Sequence, residues 1–265
     1  MEIIDFHTHA FPDALAERAM KALAEEGNVP YYLDGKVSSL LSSMARCGIS
    51  RSVLCSIATK PAQFESILKW SGQIKSHQII PFPSLHPDDP DWEPHLRAIR
   101  KAGFLGVKMH PYYQNFEVDQ ERLFPMYEVM AQERLILVLH TGFDFAFPRI
   151  RKADPARISR ILNAIPELML VTTHLGAWED WEEVERHLLG RPVYMEISFS
   201  LEYLGLDRSR RLITSHPPEY LLFGTDSPWA DQAACLALFR RLGLPAELEN
   251  RILGENALTL LEKAA

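Results

Sequence analysis

The sequence predicts a (β/α)8 barrel. Short apolar runs rich in β-branched residues alternate with longer segments of helical periodicity, and eight such strand-then-helix units follow one another between residues 2 and 241. Two of the runs, Ile136-Leu-Val-Leu139 and Leu168-Met-Leu-Val171, are apolar throughout, which is typical of parallel strands covered on both faces. An open, doubly wound sheet would show the same alternation, so the strand pattern leaves that alternative open.

The predicted elements follow in order along the chain. Strands are expected at 2–7, 51–57, 78–84, 104–110, 135–140, 168–174, 193–198 and 220–225. Helices are expected at about 12–26, 37–47, 61–75, 91–101, 121–133, 154–164, 178–188, 206–215 and 231–241.

Several helix boundaries have a local signal. Asp154 and Pro155 are residue types that favour a helix N-cap and first turn, and Gly48, Gly103 and Gly243 lie where helices should end. Residues 244–265 are expected to form two short helices that close the barrel. No linker or low-complexity segment divides the sequence, so residues 1–265 are predicted to be a single domain.

The composition narrows the class of protein. Hydrophobic residues make up 47% and charged residues 24% of the chain, which is ordinary for a soluble protein, and the net charge is −7. Because binding to phosphates needs a basic face, nucleic acid is not expected as a partner. The sequence has no signal peptide and no apolar run long enough to span a bilayer, so no membrane association and a cytoplasmic location are expected. Cys47, Cys55 and Cys235 are predicted to be reduced thiols.

His7 and His9 are the most informative residues of the sequence. They end the first predicted strand two positions apart, and residues i and i+2 of a strand point to the same face. Two neutral imidazoles held side by side form half of a site for a divalent transition metal. By the same alternation, Asp5 should share the face of His7 and could orient a ligand from behind.

Further polar residues lie at the ends of later strands. Lys108 and His110 belong to the fourth strand, whereas His140 and His174 end the fifth and sixth, and Asp226 follows the eighth. The carboxyl ends of all barrel strands meet at one rim, where barrel enzymes have their active sites. The sequence therefore predicts a metal site at that rim, with a coordination position left for water.

These residues carry a family resemblance. Asp5-Phe-His-Thr-His9, Gly106-Val-Lys-Met-His-Pro111, His140-Thr-Gly142, His174-Leu-Gly176 and Gly224-Thr-Asp-Ser-Pro228 resemble the motifs of the amidohydrolase superfamily, in the same order. The branch that the chain resembles most is the amidohydrolase-related group, which includes aminocarboxymuconate-semialdehyde decarboxylase. The resemblance implies a (β/α)8 barrel with a divalent metal, most often zinc, and a homodimer as the oligomer to test.

The resemblance also implies roles for individual residues. His7, His9, His140 and Asp226 would bind the metal. His174 would be either a ligand of a second ion or the catalytic histidine beside a single ion, and one ion is favoured. Lys108 would bridge two ions if carboxylated, and would otherwise be a cation for the substrate.

Loop residues after the strands are expected to bind the substrate. The loop candidates are Lys60, Tyr112, Arg149, Trp178 and Trp229. Lys108 and His110 of the fourth strand are further candidates for substrate binding. Aromatic side chains and a few cations around a metal suit a small molecule, in particular an unsaturated or aromatic carboxylate.

Two activities follow from this set. The leading prediction is a metal-dependent hydrolase in which a metal-activated water attacks a small amide, ester or lactone, with Asp226 and His174 as catalytic residues. The alternative is a non-oxidative decarboxylase, or a C–C hydrolase, that acts on a small aromatic or unsaturated carboxylic acid.

Overall fold

Eight short parallel strands, arranged in sequence order, form the centre of the computed structural model, which describes residues 2–265. They are β1 (Ile4–Thr8), β2 (Arg51–Cys55), β3 (Ile79–Phe82), β4 (Gly106–Met109), β5 (Ile136–Leu139), β6 (Leu170–Thr172), β7 (Tyr194–Glu196) and β8 (Leu221–Leu222). Each lies within or close to a predicted strand.

The strands close into a ring. Strands β1 to β3 pair in one run and β4 to β8 in another. Between the runs, the Lys108 amide donates to the carbonyl of Pro83 at 2.9 Å. At the other join, the Phe6 amide donates to the carbonyl of Phe223 at 2.8 Å. The (β/α)8 prediction is confirmed, and the open-sheet alternative is wrong.

Helices cover the outside of the ring. They are α1 (Asp13–Gly27), α2 (Val37–Cys47), α3 (Phe64–Ile74), α4 (Trp92–Lys101), α5 (Phe124–Gln132), α6 (Pro155–Ala164), α7 (Trp181–His187), α8 (Leu201–Leu204), α9 (Leu206–Ser215), α10 (Gln232–Arg240), α11 (Ala246–Asn250) and α12 (Asn256–Ala264). The predicted helix at 154–164 begins at its N-cap Asp154, whose side chain accepts a hydrogen bond from the Arg157 amide. None of the helices between residues 2 and 265 is both long and apolar enough to cross a membrane.

A small hydrophobic cluster fills the inside of the ring. Ile4 and Phe6 of β1 pack there with inward side chains of the other strands and with Leu260 of α12. Residues 251–255 form a π-helical turn that joins α11 to α12, so the predicted pair of short helices is one helical stretch. Gly254 is needed in this turn because a Cβ there would lie 2.0 Å from the carbonyl oxygen of Glu2.

The first strand contains a bulge. Asp5 pairs with Ser52 and Thr8 with Leu54, so three steps along β1 match two steps along β2. The extra residue changes which side chains face inward: Phe6 lies in the barrel interior, and His7 also points inward.

Asp5 points away from the interior, between the inward residues Ile4 and Phe6, and the bulge that follows it puts His7 on the opposite face from Asp5. Its carboxylate accepts hydrogen bonds from the amide and hydroxyl of Thr225 and from the side chain of Gln232 in α10. The expectation that Asp5 shares the face of His7 is wrong, because simple alternation does not hold through a bulge. Asp5 instead fixes the loop after β8 against β1.

Candidate active site

The carboxyl ends of the strands surround a cavity of about 400 Å³. It brings together most of the residues that the sequence analysis selected. Those that line it are His7, His9, Lys108, His110, His140, His174, Trp178, Asp226 and Trp229. Residues that lie far apart in the sequence therefore meet at one rim, as the barrel geometry requires.

His7 and His9 direct two ring nitrogens at the same point. Nδ1 of His9 lies 2.8 Å from the carbonyl oxygen of Cys55, and Nδ1 of His7 lies 2.9 Å from Oε1 of Glu196. Because a carbonyl or carboxylate oxygen only accepts, both Nδ1 atoms must carry the hydrogen. The Nε2 lone pairs then face each other at 3.1 Å, with Asp226 Oδ1 3.2 Å from that of His9 and 3.5 Å from that of His7.

His7, His9 and Asp226, here called the cluster, present lone pairs to one another with no hydrogen atom between them. Two imidazole lone pairs and a carboxylate oxygen repel one another unless a cation lies close to all three. Asp226 Oδ1 is buried and has no hydrogen-bond partner among residues 2–265. The ammonium of Lys108, 3.1 Å from Nε2 of His7, is the cation that the chain itself supplies there.

Glu196 on β7 holds the cluster in place from behind. Its Oε1 accepts from the His7 ring, from the backbone amide of His174 at 3.0 Å and from the Ser198 hydroxyl at 2.8 Å. A Cβ on Gly224 would lie 2.2 Å from Oε2 of Glu196, so glycine at that position makes room for the carboxylate. A carboxylate behind a histidine fixes the ring and makes its far nitrogen a better metal ligand.

His174 and His140 form a second facing pair. Nδ1 of His174 lies 3.1 Å from the carbonyl oxygen of Ser198, and Nε2 of His140 lies 2.9 Å from that of Phe143. Those two nitrogens must therefore be protonated, which leaves the other two, 3.2 Å apart, with lone pairs. This pair also needs a proton or a cation between its nitrogens. His174 has a left-handed backbone, with φ of 60°.

Asp144 is a cavity residue that the sequence analysis missed. Its Oδ2 lies 3.4 Å from Nε2 of His110 and 3.7 Å from Nε2 of His140, and the two rings stack at 4.1 Å. The available signal was its position four residues after His140 in the loop that follows β5. A carboxylate here balances the positive charge that either histidine would take up.

Burial changes the pKa of several of these groups. Loss of water lowers the pKa of His7, His110 and His140 well below the ordinary value of 6.5. For Asp226 burial alone would raise the pKa, but His7 and His9 outweigh it and hold the pKa well below the usual range. Neutral imidazoles at His7, His110 and His140 and an ionised carboxylate at Asp226 are the forms that bind metals.

The lowered histidine pKa values predict that the metal-free protein loses stability in acid. Below pH 6.5 the unfolded chain takes up protons that the folded chain does not, so the free energy of unfolding falls as the pH falls. Each of the three histidines contributes up to about 1.4 kcal/mol per pH unit. Thermal unfolding between pH 7.5 and 5.5 would measure this.

A matched pair of variants separates these histidines from exposed ones. The pH dependence of the melting temperature should become shallower in His110→Gln and stay unchanged in His77→Gln, because His77 is exposed. An equal slope in all three proteins would contradict the prediction.

Three predicted substrate residues lie away from the cavity wall, so the structure does not support that role for them. Lys60 is exposed at the start of a short 3-10 turn. Arg149 is exposed, pairs with Glu179 and covers the ring of Phe143. The hydroxyl of Tyr112 donates a hydrogen bond to the carbonyl oxygen of Ile150 at 2.8 Å and so holds a loop rather than a substrate. A position in a loop after a strand does not reveal whether a side chain is already bound to another protein group, as Arg149 and Tyr112 are.

Helices α1 and α3 also form part of the cavity wall, which the sequence analysis missed. Leu15 and Leu23 of α1 and Ile67 and Trp70 of α3 line it. Barrel helices usually pack outside the strands, and the sequence carried no signal that these two reach over the rim.

Comparisons with known proteins agree with this architecture. The uncharacterised TIM-barrel protein of Bordetella bronchiseptica has a TM-score of 0.78 and 20% identity over 100% of this chain and 99% of that chain. The 5-carboxyvanillate decarboxylase of Sphingomonas paucimobilis has a TM-score of 0.75 and 12% identity over 98% and 99%. The dihydroxybenzoic acid decarboxylase of a Polaromonas species, solved with manganese and the inhibitor 2-nitroresorcinol, has a TM-score of 0.70 and 12% identity over 98% and 97%.

The sequence itself identifies the family. No curated protein matches the chain. The amidohydrolase family profile, however, matches residues 4–263, which is nearly the whole chain. The chain therefore belongs to the amidohydrolase family, and the resemblance read from its histidine and aspartate motifs is confirmed.

Proposed function

We propose that this protein is a metal-dependent, non-oxidative decarboxylase of a small aromatic or unsaturated carboxylic acid. The observation that carries the proposal is the cavity itself: several histidines and Asp226 line a space whose other lining residues are mostly apolar and aromatic. The histidines, Asp226 with a metal, and Lys108 can hold an anionic carboxylate, whereas the apolar and aromatic lining suits the rest of a small aromatic or unsaturated acid.

The structural neighbours support the choice of reaction. Those from Sphingomonas and Polaromonas are named as decarboxylases of aromatic acids, and they share this barrel over nearly their full length. This support changes the order of the two activities predicted from the sequence, in which hydrolysis came first.

The residues present fit a divalent metal. Amidohydrolases bind such ions, and His7, His9 and Asp226 present two ring nitrogens and an oxygen that a cation would satisfy. We assign these three as ligands, together with His140 or His174 from the adjoining pair. One ion is proposed, with zinc or manganese as the metal to test first. When bound, the ion supplies a Lewis acid for the anionic oxygens of the substrate.

The other side chains supply position and a proton. The ammonium of Lys108 offers a positive charge beside the cluster, where a carboxylate can lie. When a proton lies between the facing nitrogens of His174 and His140, His174 carries it on Nε2 and is proposed to give it to the substrate carbon that carries the carboxylate. The C–C bond then breaks, its electron pair stays on that carbon, and carbon dioxide leaves; a proton from water restores His174.

Product analysis tests this assignment. Protein loaded with zinc or manganese is incubated with benzoic acids bearing hydroxyl groups, with α,β-unsaturated acids, and with matched esters and lactones. We expect carbon dioxide from the free acids and, in D2O, one deuterium at the carbon that loses it. Release of alcohols from esters without carbon dioxide from any acid would contradict the proposal.

Hydrolysis is the second candidate function. Asp226 Oδ1 is buried beside the histidines and has no hydrogen-bond partner in the described part of the chain, and a carboxylate there can take a proton from a water molecule. The ester and lactone arm of the same experiment tests this function.

Glu196→Gln is expected to weaken metal binding and turnover by about 10- to 100-fold, as is typical for a carboxylate behind a metal-binding histidine. The amide keeps the size of the side chain but loses the negative charge that stabilises the His7 N–H. Metal titration monitored by calorimetry measures the affinity. Glu185→Gln on α7 is the control, because Glu185 is exposed and its partner is Arg208. Unchanged affinity in Glu196→Gln would contradict the role.

A further inference from the structure

One wall of the cavity is hydrocarbon. Leu15 and Leu23 of α1 and Ile67 and Trp70 of α3, here called the apolar wall, all line the cavity. On each helix the two side chains are three or eight residues apart and therefore share one face. Two helices thus present apolar side chains to the same cavity.

These side chains are more exposed than their types require. Leu15 is 42% exposed, and the other three are only half-buried. Apolar surface that faces a cavity gains free energy when a ligand covers it. The apolar wall is therefore suited to contact with a hydrocarbon group.

The charged side chains of the cavity lining come from other elements, namely β4 and the loops after β5 and β8. Within residues 2–265, Lys108 is the one lysine or arginine that lines it, and its ammonium lies next to His7. The acidic lining residues are Asp144 and Asp226. A substrate carboxylate thus finds a positively charged partner at the cluster. A carboxylate at the apolar wall would lose its bound water and gain no positively charged partner.

We infer that the substrate is a monocarboxylic acid whose carboxylate lies at the cluster and whose hydrocarbon substituent packs on the apolar wall. This inference rests on the proposed function and narrows it. It excludes dicarboxylic acids whose second carboxylate would contact the apolar wall. It also predicts that the affinity of the protein for the acid rises with the size of an alkyl substituent.

Binding can be measured without turnover. Calorimetric titration of the metal-loaded protein with benzoate, 4-butylbenzoate and terephthalate compares no substituent, an alkyl chain and a second carboxylate on one ring. A buried methylene strengthens binding up to about fourfold, so 4-butylbenzoate should bind at least about tenfold more tightly than benzoate. Terephthalate should bind more weakly than benzoate.

Two isoleucine variants locate the effect. Ile67→Asn puts an amide on the apolar wall and should remove most of the advantage of 4-butylbenzoate over benzoate. Ile150→Asn is the matched control, because Ile150 is 58% exposed and lies outside the cavity lining. It should keep the full advantage. Circular dichroism checks that both variants fold.

The outcomes separate this inference from the proposed function. Equal affinities for benzoate and 4-butylbenzoate, tighter binding of terephthalate, no binding of any of the three acids, or an unchanged advantage in a folded Ile67→Asn would each overturn it. Carbon dioxide release is assayed separately. Decarboxylation without an alkyl preference would leave the proposed function intact, whereas the alkyl preference without carbon dioxide would count against decarboxylation alone.

Discussion

Replacing both His7 and His9 with alanine is expected to abolish metal binding and to lower turnover below detection. The change removes two of the four proposed ligands, and Asp226 with one histidine of the second pair cannot hold a transition metal at micromolar concentration. Metal content after dialysis, measured by elemental analysis, and carbon dioxide release would show the loss.

The same double variant should remain folded. The hydrophobic cluster inside the barrel includes Ile4 and Phe6 but neither histidine, so its packing does not need the imidazoles. Far-UV circular dichroism should match that of the unchanged protein. The control replaces His77 and His187, which lie away from the cavity, with alanine and should keep both metal and activity. A double His7, His9 variant that retains stoichiometric metal would remove the basis of the proposed site.

His174→Asn is expected to lower kcat by about 10²- to 10⁴-fold, the usual range for loss of a general acid or base, while the metal stays bound. Asparagine is the informative replacement because it tolerates the left-handed backbone at this position, where alanine would add strain. Its side chain cannot carry a proton to the substrate.

Two measurements distinguish a proton donor from a ligand. If His174 donates the proton, the asparagine variant should keep its metal, and its kcat should no longer show the pH dependence that a histidine imposes. If His174 instead binds the metal, metal content and activity should fall together. Full activity in the asparagine variant would contradict both roles.

The fold could be predicted from the sequence because its signals are local. Strands such as β5 are continuous apolar runs, and helix starts such as Asp154 have the residue types that caps require. The order of these elements then permits few architectures. The positions of His7, His9, His174 and Asp226 followed from the barrel, since each lies at the carboxyl end of a strand.

What could not be predicted depends on contacts between distant residues. Arg149 was chosen for its charge, but its pairing with Glu179 is set by how two loops pack. Asp144 belongs to no recognised sequence motif. The contribution of α1 and α3 to the cavity depends on how these helices pack in the tertiary structure. The seventh predicted strand favours an inward Glu196 that supports the ligands, but its choice of His7 as partner joins residues 189 positions apart and depends on the closed ring.

The bulge in β1 divides one five-residue strand into two parts with separate tasks. The part before it belongs to the hydrophobic interior, and the part after it carries the imidazoles. Removing either Phe6 or His7 would restore ordinary alternation, because the bulge places both of them opposite a single residue of β2. The strand would then carry one inward side chain where it now carries two, so the packing of the barrel interior and the histidine pair both depend on the length of this strand.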